Sequence, residues 1–194
     1  MQPEMMMKKI EAIWLPDVQQ QVFRALMEVM SRPGKTAHLA ELVDDCSALR
    51  ALLATLIDGE VSLADRDQLL DSSDWPLLQC QQRDVESAAY VVCAGERAPD
   101  FEPKLGTLAS PEHATTLILK LKSVQAGKQQ CTLSGPGING TQKIAVSGLN
   151  RAWLEQRQQW NSAFPLGVDI IVVDDTHVMA LPRTTQIEVT SWDM

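Results

Sequence analysis

The segment 167–173, GVDIIVV, carries apolar residues at both odd and even positions. Successive side chains of a strand point to opposite faces. Such a strand is therefore stable only when both faces are covered, as in the middle of a layered α/β structure. Asp174-Asp175-Thr176 then turn into a second apolar run, HVMALP at 177–182, which predicts a β-hairpin.

The amino-terminal third has a different period. In DVQQQVFRALMEVMSRPG, residues 17–34, Val18, Val22, Leu26 with Met27, and Val29 with Met30 recur at helical spacing. Asp17 is the expected N-cap, Phe23 is read as a core residue, and Pro33-Gly34 stop the helix by removing a donor and allowing positive φ. Arg24, beside Phe23, reads as an anchor for the loop at 31–34. A second helix follows in DDCSALRALLATLIDGE, capped by Asp44 or Asp45, with Leu49, Leu52, Leu53, Leu56 and Ile57 forming a face broad enough for burial on most sides. LADRDQLLD at 63–71 reads as a short helix.

From about residue 87 the pattern switches to β-branched runs between turn signals, at 88–94, 114–121, 128–135, 167–175 and 177–182. Between them, LNRAWLEQRQQWNSAF places Trp153, Leu154, Arg157 and Trp160 on one side of a helix that ends before Phe164-Pro165. Helices first, strands later and a helix leading into the most apolar strand predict a two- or three-layer α/β domain on a mixed sheet. At 194 residues and 45% hydrophobic, the chain has the material for one domain over 1–194 with a real core.

Charge narrows the functional classes. The balance of 17 basic against 25 acidic residues, −8 net, opposes non-specific adhesion to nucleic acid. No stretch approaches the 18 apolar residues of a membrane span, so a cytoplasmic protein is expected. Cys46, Cys80, Cys93 and Cys131 form no CxxC pair and read as buried small hydrophobes. His38, His113 and His177 are isolated, and Ser134 and Ser147 lack a GxSxG frame. Neither a metal ligand set nor a catalytic triad is therefore expected. The glycines of SGPGING, 134–140, fit a tight turn better than an anion cradle, although Gly137 would let backbone approach a phosphate.

LPRTTQIEV is richer. Arg183 offers a guanidinium fork with the hydroxyls of Thr184 and Thr185 beside it, a set suited to phosphate or carboxylate. The competing and favoured reading is that Arg183 pairs with an acid such as Asp169 or Glu188 and pins a C-terminal strand.

Several of these segments together resemble the PhnH family of the phosphonate carbon–phosphorus (C-P) lyase system. The resemblance rests on Phe23-Arg24, Met30-Ser31-Arg32-Pro33-Gly34, Ile57-Asp58, Pro111-Glu112-His113-Ala114-Thr115-Thr116 and Gly135-Pro136-Gly137-Ile138. Its most specific parts are Phe164-Pro165-Leu166-Gly167-Val168-Asp169 and Ala180-Leu181-Pro182-Arg183-Thr184-Thr185, and the order is colinear over about residues 15–190. It implies a three-layer α/β/α sandwich on a mixed sheet, like the large domain of pyridoxal-phosphate-dependent transferases but without the cofactor. In keeping with that loss, none of Lys104, Lys120, Lys122, Lys128 or Lys143 stands in a Schiff-base signature.

The resemblance further implies a required but non-catalytic subunit of the C-P lyase core complex, which displaces adenine from ATP with an alkylphosphonate to give ribose 1-phosphonate triphosphate. The implied partners are PhnG, PhnI and PhnJ, with a homodimer in isolation. A nucleosidase-like subunit is the implied catalyst of the displacement, and a radical iron–sulfur subunit breaks the C-P bond. This chain lacks the CxxxCxxC run that such a cluster needs. An obligate subunit should present an apolar contact surface. Trp75, Trp153 and Trp160 are the candidates for it, with core burial as the competing reading. The alternative function is a ligand-binding or weakly catalytic protein holding a nucleotide or phosphonate near Arg183, Thr184 and Thr185, with Asp169 and Gly137.

Overall fold

The computed structural model describes residues 11–43 and 46–192. The central element is a seven-stranded mixed sheet built from β1 (Thr36–His38), β2 (Ser62–Asp65), β3 (Gln81–Gln82), β4 (Tyr90–Ala94), β5 (Thr116–Lys120), β8 (Asp169–Val173) and β9 (His177–Leu181). Its order is β1-β9-β8-β5-β4-β2-β3. The run from β8 to β3 is parallel, whereas β9 joins β8 and β1 joins β9 antiparallel. The chain is thus mixed α/β, and the β8–β9 hairpin is present as its sequence predicts.

Strict alternation along these strands divides the core in two. Val92, Ile118, Ile171, Val173, Val178 and Ala180 face one apolar cluster, completed by α1 (Pro16–Ser31) and α2 (Ala48–Leu56). Val91, Cys93, Leu117, Leu119, Ile170, Val172, Met179 and Leu181 face the other. That side is covered by α4 (Ala152–Trp160) together with a three-stranded antiparallel sheet, ordered β10-β6-β7, of β6 (Gln129–Ser134), β7 (Gln142–Val146) and β10 (Gln186–Trp192). One outer layer is therefore helical and the other is part sheet, because Cys131, Leu133 and Val146 supply apolar cover from strands. A last short helix, α3 (Trp75–Leu78), precedes β3.

Local chemistry explains where the sequence reading and the structure differ. α1 starts with Pro16 at its first position and Leu15 at the cap, which moves Asp17 from the cap into the first turn. Gly34 has φ +87°, so the helix stop acts as expected. The cap of α2 is Ser47, whose hydroxyl accepts from the Arg50 amide, while Asp44 and Asp45 lie outside the described residues. Residues 63–71 are not a helix. Leu63 and Ala64 enter opposite core clusters from β2. Asp65 then takes the Leu69 and Leu70 amides at 3.0 and 2.8 Å, and Gln68 is left-handed at φ 56°. Those captured amides are ones a continuing helix would have needed.

The β8–β9 turn depends on one carboxylate. Asp174 Oδ1 accepts from the Thr176 and His177 amides at 2.9 and 2.7 Å, and Oδ2 accepts from Val124 N at 2.9 Å. Burial raises its pKa, but the three amides outweigh that and hold the carboxyl below the usual aspartate range. A depressed carboxylate contributes stability that is present above its unfolded value, about 3.9, and is lost as pH falls through the lower folded value. Asp174→Asn is expected to cost about 2 kcal/mol at neutral pH and to flatten the acid limb of stability against pH. Denaturant melts of both proteins between neutral and acid pH check both effects.

Candidate functional site

Open α/β sheets bind ligands outside the carboxyl ends of their parallel strands. Here the ends of β2 and β4 meet a cavity of about 310 Å³ whose lining includes Arg66, Asp67, Cys93, Arg97, Asp100 and Trp153. Its charges are mutually satisfied. Arg66 pairs with Asp100 and Arg97 with Asp67, and Asp67 also accepts the Ala94 amide at 2.7 Å. Burial, reinforced by the negative charge of Asp67, pushes the Cys93 thiol up to about 12, and burial pushes Cys131 to about 11. Both therefore stay protonated and poorly nucleophilic at neutral pH. Cys46 and Cys80 are only half-buried, which corrects their assignment to the interior.

The Arg183 segment lies at the opposite end of the sheet, where β4, β5 and β8 begin. Asp169, the first residue of β8, accepts from Arg183 N at 2.7 Å through Oδ1, and from Nε and Nη2 at 3.2 and 2.7 Å through Oδ2. Nη1 donates to the carbonyls of Pro111 and Pro165 at 3.1 and 3.0 Å. Arg183 is thus a brace joining a strand start to two loops, in line with the favoured structural reading, and Asp169 rather than Glu188 is its partner. Every nitrogen of the fork is engaged, which leaves little of it for a ligand.

The other residues of the predicted set separate. Thr184 is exposed, while Thr185 is buried with no hydrogen-bond partner for its Oγ1 among the described residues. Gly137 belongs elsewhere, in a depression lined with Arg32 and Lys35, both of which pair with Glu28. It has φ +82°, and a Cβ there would lie 2.1 Å from the Ser31 carbonyl oxygen. Close packing of the 134–140 turn on the end of α1 accounts for this glycine.

Sequence reasoning missed Arg157 as a site residue. It is 5% exposed on the inner face of α4, and its Nη2 donates to the carbonyls of Pro182 and Thr185 at 2.6 and 2.9 Å. The available signal was its position on the same helical stripe as Trp153 and Trp160, where a cation has to find partners.

The tryptophan expectation is corrected. Trp153 and Trp160 are 1% and 4% exposed, and Trp75 packs partly buried against the helical core. Phe23, read as core, is 48% exposed on α1 with Met27, and Arg24 is exposed rather than an anchor. Among the described residues the most exposed large apolar side chains are Leu108 and Phe164, at 77% and 70%. Both lie in the loops that Arg183 braces, and those loops are joined again by Gly167 N donating to Leu105 O at 3.0 Å. His38 and His177 stack at 4.3 Å across the β1–β9 pair, and His113 is exposed. No group of three or more His, Cys, Asp or Glu among the described residues is arranged to hold a metal ion.

Fold and site together define a mixed α/β scaffold that presents two arginine-braced loops beside a pocket containing a buried arginine. Residues 13–188 match the bacterial phosphonate metabolism protein (PhnH) family, and the chain belongs to that family. It is 40% identical over 175 residues to HtxG of Stutzerimonas stutzeri, which carries the name of a C-P lyase subunit protein, covering 90% of this chain and 88% of that one. It is 29% identical over 181 residues to the alpha-D-ribose 1-methylphosphonate 5-triphosphate synthase subunit PhnH of Rhizobium meliloti (strain 1021), covering 87% and 90%.

Proposed function

We propose that this chain is a required, non-catalytic subunit of a C-P lyase core complex in alkylphosphonate degradation, working in the cytoplasm as a single domain. The carrying observation is the match along nearly the whole chain to relatives named as subunits of that system. Within this reading the scaffold is a cofactor-free descendant of the pyridoxal-phosphate transferase fold. It self-associates as a homodimer in isolation and otherwise contacts PhnG, PhnI and PhnJ.

Two features of the molecule support a docking role. Arg183, a natural ligand-binding fork, is committed to Asp169 and two loop carbonyls. The loops it holds expose Leu108 and Phe164, apolar anchors of the kind that sit at the centre of an interface. No helix among the described residues is long and apolar enough to cross a membrane.

The test is co-expression of the full chain with the other core subunits, followed by affinity capture. Phe164→Asp is expected to weaken capture by at least tenfold, a penalty of about 1.4 kcal/mol or more for a charge placed in an apolar contact, while leaving the melting temperature within about 2 °C of the parent. Undiminished capture by this variant would place the interface elsewhere.

A further inference from the structure

One side of α1 is apolar and uncovered. Leu15, Phe23 and Met27, three of the six exposed large apolar side chains among the described residues, lie along it at steps of two turns and one turn. A different side of the helix, with Val22, Leu26 and Val29, enters the core. Contiguous exposed apolar surface of this kind marks a contact site.

Charged side chains run beside this stripe in a definite order. Asp17 stands in the first turn, Arg24 and Glu28 follow, and Arg32 at the C-cap and Lys35 just beyond close the row. The side chains of Asp17 and Arg24 make no hydrogen bond or ion pair among the described residues. Glu28 accepts from Arg32 Nη1 and Lys35 Nζ, each at 2.7 Å and both through Oε1, which leaves its Oε2 open. An acid at the amino end and bases at the carboxyl end make the face complementary to itself when a second α1 lies antiparallel on it. A two-fold axis near Ala25 sets Phe23 on Met27 of the second copy and Met27 on its Phe23. The same register brings Arg24 beside Glu28, and Asp17 beside Arg32, of the second copy, and symmetry makes each contact twice. Parallel packing would instead set Arg24 on Arg24 and Glu28 on Glu28, where like charges repel.

We propose that the Leu15–Phe23–Met27 face of α1 is the docking surface for a second copy of this chain, packed antiparallel about a two-fold axis. The inference rests on the reading that the isolated chain is a homodimer, and it gives that dimer its contact. Phe23 and Met27 are the apolar anchors, and Arg24 and Glu28 fix direction and register. With 16 residues, α1 is about 24 Å long. A contact built on one such helix is at the small end of specific interfaces, so dissociation in the micromolar range is expected.

Sedimentation equilibrium of the full chain at about 1–100 µM reads the association. Met27→Glu sets a carboxylate on Phe23 of the second copy at two symmetric positions and should weaken dimerisation about thirtyfold or more. Arg24→Glu turns two attractive pairs into repulsive ones with Glu28 and should weaken it about tenfold. Both side chains are exposed in the single chain, so the far-ultraviolet circular dichroism of the variants should match the parent's, which separates a lost contact from a lost fold. Leu77→Glu, at an exposed apolar position on α3, should leave the dimer unaltered. A parent that stays monomeric throughout would remove the homodimer reading and this contact with it. A dimer that persists in both α1 variants would overturn the α1 assignment alone. So would an intact Met27→Glu dimer that the other core subunits no longer capture, which would give the face to one of them.

Discussion

Trp153→Ala is expected to destabilise the protein by about 3–5 kcal/mol, the range for truncating a fully buried large aromatic. Trp153 is 1% exposed, and its Nε1 donates to the Arg97 carbonyl at 2.7 Å. Its ring meets Phe101 and Trp160 edge-on at centroid separations of 6.2 and 6.4 Å. Truncation removes both ring contacts, opens a cavity under α4 and leaves the Arg97 carbonyl without its donor. Trp160 is held in the same cluster by donation to Glu102 Oε2 at 2.7 Å, so the damage spreads to the loop at 101–102. Denaturant unfolding of the isolated chain measures the loss. A change below about 1 kcal/mol would return Trp153 to the surface role its sequence context also allows.

Arg183→Ala has the second large expected effect, about 3 kcal/mol, because it strands a half-buried carboxylate and releases two carbonyls at once. The Arg183 and Asp169 side chains are 15% and 20% exposed, which keeps the effect at the lower end for a broken interior pair. The location of the damage is as informative as its size. Segments 105–111 and 163–167 should exchange amide hydrogens faster while β5 and β8 remain protected, since the strands keep their ladder bonds. Uniform acceleration across the sheet would show that Arg183 supports the global core and not the loops.

Much of the architecture is legible wherever the hydrophobic period is long and unbroken. The strand at 169–173 announces cover on both faces, and Ile170 with Val172 and Ile171 with Val173 do divide between the two clusters. α2 is legible for the same reason, with Leu49, Leu52 and Leu53 buried. β2 is hidden because LADRDQLLD has helix-like spacing and only the tertiary role of the Asp65 carboxylate shows why the chain turns. β7 is hidden because Gln142 and Lys143 dilute its pattern, and the inward residues Ile144 and Val146 gain meaning only opposite β6. β1 has just three half-buried residues, too few for any period to emerge.

The site was half legible. The pairing of Arg183 with Asp169 follows from a fork near an acid, and the structure contains it. That Gly137 packs on Ser31 far along the chain, and that Arg157 donates to the Pro182 and Thr185 carbonyls, are properties of tertiary proximity that spacing does not encode. The tryptophans mislead for a simple physical reason. Large aromatics suit interfaces and cores equally, and only the covering layer decides.

The central claim is that this scaffold works by being held within an assembly. It is tested most directly by amide hydrogen exchange on the full chain, alone and after co-purification with PhnG, PhnI and PhnJ. The account predicts that the four proteins elute together and that the segments around Leu108 and Phe164 become the most strongly protected parts of this chain. Separate elution of this chain, with unchanged exchange in those segments, would contradict it.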